Sequence, residues 1–161
     1  MGVSPGGQAS SSLLGTSGCP FCAIISGVAP AHEVWRDGEK MAFLDRRPLL
    51  LGHCLVVPTA HISSILDLVP GQLLPLMQLV QRLAVALMEA LDAHGTFIAV
   101  NDRVSQSVPH VHIHVVPRRR GDGLRGFFWP RTKYESEEQA AEYRDRIRAA
   151  LGDYADRDRR L

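Results

Sequence analysis

The chain has 161 residues, a hydrophobic fraction of 45%, a charged fraction of 22% and a formal net charge of +1. This length and composition are typical of one soluble globular domain. The near-neutral charge gives no electrostatic reason to expect nucleic acid or a membrane surface as the main partner.

Targeting signals and cysteine usage indicate the compartment. No uninterrupted apolar run approaches the ~18 residues of a membrane span, and the N-terminus lacks the basic start and apolar stretch of a signal peptide. Three cysteines, two of them in Cys19-Pro20-Phe21-Cys22, do not make a disulfide framework. We therefore expect a cytoplasmic protein.

Composition also predicts the domain limits. Residues 1–18 are rich in Gly and Ser and poor in large apolar side chains, which predicts a flexible N-terminal tail. The folded domain is expected over 19–152, followed by a polar tail at 153–161.

The first half of the domain reads as a short helix and three strands. Residues 21–25 predict a helix that ends at Gly27, where a left-handed cap is easily adopted. Residues 33–36 and 40–44 are extended runs joined by Asp37-Gly38, a strong hairpin signal, and 53–58 predicts a third strand.

The second half contains two helices and two strands. Apolar residues at helical spacing predict a long helix over 71–93, with Gly95 placed to stop it. Strands are expected at 96–101 and 110–117, and a C-terminal helix at about 137–151, with a capping box of Ser136 and Gln139 and an apolar stripe of Tyr143, Ile147 and Leu151. The pattern predicts an α+β fold with a mainly antiparallel five-stranded sheet and helices on one face.

The stretch His110-Val111-His112-Ile113-His114 is the most informative in the chain. Strand side chains alternate between faces, so the three imidazoles share one face while the aliphatic residues point to the core. Packing does not explain three histidines in register. They can hold a catalytic metal, or one can be a nucleophile whose neighbours set its tautomer and charge. The preceding Ser105-Gln106-Ser107-Val108 offers donors suited to phosphate oxygens, and Asn101 ends the neighbouring strand, which favours the nucleophile.

The pair Cys19 and Cys22 has two open interpretations from the residues alone. A redox motif normally follows a strand and opens a long helix, whereas this pair follows a Gly/Ser-rich segment. A zinc site needs two further ligands. Without a metal, the two cysteines are reduced thiols in a small apolar contact.

At this point the chain resembles the histidine triad (HIT) family. The resemblance is carried by the His-φ-His-φ-His-φ-φ pattern at 110–116 with Gln106-Ser107-Val108 before it. It extends back to residue 19 through a set of matching positions: Phe21, Ile24, Ile25, Pro30, Phe43, Asp45 and Gly52-His53.

The resemblance implies a role for each matching residue. His112 would be the nucleophile on the α-phosphorus, held in one tautomer by the backbone carbonyl of His110, and the resulting phosphoramidate would be cleaved by water without any catalytic metal. His114 would stabilise the charge that develops on the phosphate oxygens, and Ser107 would donate to the leaving group or a phosphate oxygen. Asn101 would position the phosphoryl group, with Gln106 beside it.

The resemblance also implies the substrate-binding residues, a metal site and an assembly. Asp45 would accept from both ribose hydroxyls, His53 would sit beside the triad, and Phe21, Ile24, Phe43 and Leu55 would line a purine pocket, unless those four are simple core residues. Zinc would be bound by Cys19, Cys22, His61 and His110, with His53 as a rival third ligand. A homodimer is expected, as is a purine nucleotide substrate derived from AMP or GMP.

Within the family, a histidine rather than glutamine at 114 favours hydrolases, and Ser107 favours the Hint (phosphoramidase) branch over the Fhit (diadenosine polyphosphate) branch. The chain departs from the family at Ser105, where relatives have glycine, and at the arginines of 118–120 and the aromatic run 127–130. Two other classes stay open: a metalloenzyme that uses all three histidines, and a non-catalytic purine nucleotide sensor.

Overall fold

The computed structural model describes residues 18–124 and 133–158. Residues 1–17 of the predicted N-terminal tail and the aromatic run 127–130 therefore lie outside the described residues. The chain divides after Asp122 into two compact units, and all five strands belong to the first. The elements are α1 (Pro20–Ile25), β1 (Glu33–Arg36), β2 (Lys40–Leu44), β3 (Cys54–Pro58), a 3₁₀ turn (Ile65–Asp67), α2 (Pro70–Leu91), β4 (Gly95–Ala99), β5 (Ile113–Arg118) and α3 (Glu137–Asp158).

The five strands form one antiparallel sheet in the order β1-β2-β3-β5-β4, which confirms the predicted α+β fold. β3 and β5 are neighbours although α2 and β4 separate them in sequence, so the last two strands form a hairpin-like pair at one edge. The register places Phe43 opposite Leu55, and Leu55 opposite His114. These three side chains therefore form a row across the sheet on the same face.

Both faces of the sheet are covered, so the prediction of helices on one face is wrong for α1. On one face, the apolar stripe of α2 packs with Ala42, Cys54, Val56, Val111, Ile113 and Val115. On the other, Phe21 and Ile24 of α1 pack with Met41, Phe43, Leu55 and Val57. Alternation along β2 and β3 divides the two sets. A six-residue helix suffices for the second face because two of its three large apolar side chains, Phe21 and Ile24, are buried there.

Turn chemistry defines most of the element ends. Asp37 accepts hydrogen bonds from the backbone N–H groups of Glu39 and Lys40, which closes the predicted hairpin. Gly27 follows α1 with φ +77°, as predicted for a left-handed cap. The predicted stop of α2 at Gly95 is wrong: the helix ends at Leu91 because Asp92 adopts φ +50°, and Gly95 begins β4 instead.

By length and composition, α2 is apolar enough to cross a membrane. Six of its residues are nevertheless buried, at helical spacing, and they pack in the cluster that contains the sheet residues. The same apolar stripe therefore serves as the core-facing side of the helix.

The second unit contains α3, which continues to Asp158, beyond the predicted end at 151 and into the segment expected as a polar tail. Ser136 Oγ accepts from the N–H of Gln139, as predicted, but the Gln139 side chain accepts from Glu135 N–H rather than from Ser136. Tyr143 and Ile147 of the predicted stripe are 47% and 57% exposed, and the Leu151 side chain lies outside the described residues.

Candidate active site and metal centre

A cavity of about 620 Å³ opens on the α1 face of the sheet. Its size is within the range of small-molecule sites. The sequence-predicted Phe21, Ile24, Phe43 and Leu55 form its apolar wall, and Asp45, Ser107, His112 and His114 are among its polar lining. Its remaining lining residues are Pro20, Ala29, Pro30, Ala31, Leu44, Arg46, Arg47 and Val108. The cavity thus combines one apolar wall with a polar end that holds two imidazoles.

His112 has its ring orientation and tautomer set by the backbone. Its Nδ1 lies 2.8 Å from the carbonyl oxygen of His110, and since a carbonyl only accepts, Nδ1 carries the proton. The Nε2 atom therefore keeps its lone pair. His112 is only 3% exposed and lines the cavity, so this lone pair belongs to a ring held almost entirely within the protein.

His114 is held by a second chain of hydrogen bonds. The backbone N–H of Leu49 donates to His53 Nδ1 at 3.2 Å, so His53 carries its proton on Nε2 and donates it to His114 Nδ1 at 3.0 Å. The proton of neutral His114 is then on Nε2. Asp45 Oδ2 lies 3.6 Å from His53 Nδ1, which places the carboxylate at the same end of the cavity.

Burial keeps His114 and His53 neutral. Desolvation, with smaller effects from His112 and His53, lowers the pKa of His114 to about 4. Desolvation also lowers the pKa of His53, against the opposing influence of the Asp45 carboxylate. At neutral pH, His114 therefore presents a neutral N–H donor beside the lone pair of His112.

The first triad histidine faces a different site. His110 Nε2 donates to the carbonyl of Pro58 at 2.9 Å, which leaves the lone pair of Nδ1 free. This Nδ1 lies 3.6 Å from Cys19 Sγ and 3.6 Å from Cys22 Sγ, and Cys22 Sγ lies 3.3 Å from His61 Nδ1. All four potential ligand atoms lie within 4.8 Å of one another. The predicted set of Cys19, Cys22, His61 and His110 is therefore brought together, and His53 is not part of it.

This cluster fits zinc in ligand type and in spacing. Two sulfur and two nitrogen ligands form a common structural zinc set, and ideal tetrahedral bond lengths place S and N about 3.5 Å apart. Burial, with smaller effects from the neighbouring Cys19, raises the pKa of Cys22 to about 11. Burial also lowers the pKa of His110 to about 4, with smaller effects from His61 and His112. A bound divalent cation would stabilise the deprotonated thiolates, because it supplies the positive charge that the cluster lacks.

The three triad histidines do not converge on one metal site. Among the described residues, His110 belongs to the cysteine cluster, His114 lies with Asp45 and His53, and His112 is in neither group. The sequence-based alternative of one metal on all three rings is therefore not supported by their positions.

Phe21 connects the metal cluster to the cavity. It lies between the two cysteines in sequence, and its ring centroid is 5.2 Å from that of His112, 5.5 Å from Phe43 and 5.9 Å from His110. All three contacts are edge-to-face, a favourable arrangement of aromatic rings. The segment that carries two metal ligands thus also builds part of the cavity wall.

Three predicted substrate residues, Asn101, Gln106 and His53, do not line the cavity. His53 instead donates to His114, which does line it. The Gln106 side chain donates to the carbonyl of Ser63 at 2.7 Å and accepts from the N–H of Arg103 at 2.8 Å, so it holds the loop together instead. Ser105 has φ +59°, a conformation that glycine adopts at less cost. Glycine, which the family resemblance implies at this position, would therefore fit the same backbone.

Sequence reasoning gave no site role to several lining residues, among them Leu44, Arg46 and Arg47. Their position was available as a signal, since Leu44 directly precedes Asp45 and the arginines directly follow it. The contact that fixes the 101–106 loop was not predicted either. Asp102 accepts hydrogen bonds from the Ser64 hydroxyl and from the Ile65 N–H.

Comparison with known proteins places this geometry in a family. The HIT domain matches residues 26–121, more than half of the chain. The chain belongs to the HIT family. An uncharacterized HIT-like protein of Mycobacterium tuberculosis is 44% identical over 108 residues, which are 66% of this chain and 75% of that protein.

Other members of the HIT family differ in their named activities. The adenylylsulfatase HINT3 of Arabidopsis thaliana is 30% identical over 76% of this chain and 63% of its own length. The asymmetrical bis(5'-nucleosyl)-tetraphosphatase of Schizosaccharomyces pombe is 35% identical over 55% of this chain and 50% of its own length. A zinc-bound histidine triad family protein of Mycobacterium smegmatis has 39% identity and a TM-score of 0.65, over 88% of this chain and 99% of that one.

Proposed function

We propose that this HIT protein is a nucleotide-binding hydrolase that cleaves a nucleoside phosphoramidate or a dinucleoside polyphosphate at the α-phosphorus through a nucleotidyl-His112 intermediate. The observation that carries the proposal is the tautomer of His112. Its Nδ1–H is held by the His110 carbonyl at 2.8 Å, which leaves an Nε2 lone pair on a ring that lines a cavity of mononucleotide dimensions.

In the first step, His112 Nε2 attacks the α-phosphorus, the N–P bond forms, and the bond from phosphorus to the leaving group breaks. A polyphosphate departs as an anion, whereas an amine leaving group takes up a proton from solvent as it departs. The Ser107 hydroxyl lines the same cavity and donates to the leaving group or to a phosphate oxygen. The neutral His114 Nε2–H stabilises the negative charge on the phosphoryl oxygens, since its Nδ1 accepts from His53. The proton stays on His112 Nδ1, which donates it in a hydrogen bond to the His110 carbonyl.

In the second step, water attacks phosphorus and the N–P bond to His112 breaks. The nucleoside monophosphate leaves with the water oxygen, and His112 Nε2 is again unprotonated once the proton of that water has passed to solvent. Each step exchanges one bond at phosphorus, so the reaction needs no oxidant, reductant or catalytic metal.

The apolar wall supports a purine as the base, and the adjacent Asp45 supports recognition of the ribose hydroxyls. Phe21 and Phe43 are in edge-to-face contact, and Ile24 and Leu55 complete an apolar surface suited to a planar base. AMP or GMP derivatives are the proposed substrates. Asn101 and Gln106 are not retained as contacts of the phosphoryl group.

Zinc is proposed as a structural metal at Cys19, Cys22, His61 and His110. When bound, it holds the start of α1 against the sheet and supplies no chemistry at phosphorus, because the Nδ1 of His110 faces the cysteines. The zinc-bound relative supports this assignment. The cytoplasmic location and the homodimer stay predictions.

Hydrolysis of adenosine 5'-phosphoramidate and of a diadenosine polyphosphate by the wild type and His112→Asn tests the proposal. We expect turnover in the wild type and a loss of at least about 10³-fold in the variant, with AMP affinity retained. Ser63→Ala is the matched control, because Ser63 contributes only its carbonyl to Gln106. AMP binding without turnover in the wild type would replace the hydrolase with a nucleotide sensor.

A further inference from the structure

Two arginines that the proposed chemistry does not use lie at the polar end of the cavity. Arg46 and Arg47 line it together with His112 and His114. They directly follow Asp45, whose carboxylate lies 3.6 Å from His53, and His53 bonds to His114. This chain of contacts places the Asp45 carboxylate beside His114, and the two arginines follow Asp45 directly in the cavity lining.

The two guanidinium groups have no partner within the described part of the chain. Both residues are exposed, and neither side chain forms a hydrogen bond, ion pair or ring contact there. By contrast, Arg36 pairs with Glu33 and Arg118 with Asp122. Unpaired cations at the mouth of a cavity attract anionic ligands.

The one acidic side chain among the described cavity residues is already engaged. Asp45 Oδ1 accepts from the backbone N–H of Arg47 at 2.8 Å, and Oδ2 faces His53. Asp45 carries one negative charge, against the two positive charges of Arg46 and Arg47. This end of the cavity has an excess of positive charge even before any substrate phosphate enters.

We propose that Arg46 and Arg47 form a subsite for the phosphates beyond the α-phosphate, and so select nucleotides with an anionic, phosphate-containing leaving group over those with a neutral amine. This inference rests on the proposed function, because it takes the α-phosphate to lie at His112 and His114. Guanidinium groups match phosphate oxygens in pairs of parallel hydrogen bonds. An exposed pair of this kind raises affinity about threefold, so the two arginines together give about tenfold at low salt.

Calorimetric titration with AMP, α,β-methylene-ADP and α,β-methylene-ATP tests the subsite, since the methylene group prevents cleavage at the α-phosphorus. The wild type should bind the triphosphate analogue about tenfold more tightly than AMP at low ionic strength. The difference in affinity between the triphosphate analogue and AMP should become smaller in 0.5 M salt, where charges are screened over a few ångströms. Arg46→Gln/Arg47→Gln should bind all three ligands with the affinity of AMP.

Arg103→Gln is the matched control, because Arg103 is an exposed arginine outside the cavity lining whose side chain lies 3.9 Å from Asp102. It should keep the full preference for the triphosphate analogue. Equal wild-type affinity for all three ligands, or equal loss in Arg103→Gln, overturns the subsite and leaves the proposed function standing. Failure of AMP itself to bind contradicts the proposed function instead.

Discussion

Removal of the metal is expected to weaken recognition of the base while sparing recognition of the phosphate. α1 has six residues, well below the ~12–15 that an isolated helix needs, so its position depends on its anchors. Two of the four zinc ligands, Cys19 and Cys22, lie at its start and within it. Phe21, between them, contacts the rings of His112 and Phe43. Without the metal, this ring loses its fixed place in the cavity wall.

The magnitude follows from linkage and from ring contacts. A metal present at a hundred times its dissociation constant stabilises the fold by about 2.7 kcal/mol. For a domain of this size, that corresponds to a Tm increase of about 10 °C. One lost aromatic contact is worth about 1 kcal/mol, or about fivefold in AMP affinity.

Differential scanning fluorimetry and calorimetry, with a chelator and then with added zinc, provide the assay. Chelation should lower the Tm by about 10 °C. It should also weaken AMP binding about fivefold, leave ribose 5-phosphate binding nearly unchanged, and be reversed by zinc. Cys22→Ser should be insensitive to chelator, whereas Cys54→Ala, a buried thiol outside the cluster, should keep the full response. Equal weakening of AMP and ribose 5-phosphate would refute the role given to Phe21.

Three further predictions concern stability and turnover. Gly52→Ala should destabilise the protein by about 2 kcal/mol in urea unfolding. Gly52 has φ +91°, and an added Cβ would clash with the side chains of Leu91 and Pro117. An unchanged urea midpoint would contradict this close packing around Gly52. Thermal stability should fall as pH drops from 6.5 toward 4. Histidine in the unfolded chain is protonated near pH 6.5, whereas the pKa of His114 in the fold is lowered to about 4 and that of His53 is also lowered. The free energy of unfolding should decrease by an amount on the order of 1–2 kcal/mol, and a stability that does not change with pH would contradict this prediction. His53→Ala should lower kcat by about 10–100-fold, because the hydrogen bond from His53 to His114 is lost. His53→Gln can donate the same hydrogen bond and should recover part of the lost kcat. Equal kcat in the two variants would indicate that His53 has a structural role alone.

The strands were predictable because alternation and turn residues act locally. β1 and β2 match the predicted ranges, and the Asp37 hairpin follows from its own side chain. β5 begins at Ile113 rather than 110, although the side-chain alternation holds from Val111 onward. Its early residues instead bond elsewhere: Val111 N–H donates to the Ile62 carbonyl, and the His110 carbonyl accepts from the His112 ring.

The candidate site was only partly predictable. The shared face of the histidines followed from strand alternation, but the zinc ligands came from the family resemblance, since spacing alone does not connect His61 to a cysteine pair. The position of Gln106 and Asn101 outside the cavity lining could not be predicted, because the 101–106 loop depends on positive φ angles at Arg103 and Ser105 and on the distant Ser64 contact of Asp102. Such conformations leave no periodic signal in the sequence.

Mass spectrometry of the protein quenched in acid-free denaturant during turnover of adenosine 5'-phosphoramidate tests the central claim most directly. We expect an added adenylyl mass on the peptide that contains His112, lost on mild acid treatment and absent from His112→Asn. Turnover by the wild type with no adduct in rapid-quench samples, or an adduct that persists in His112→Asn, would contradict it.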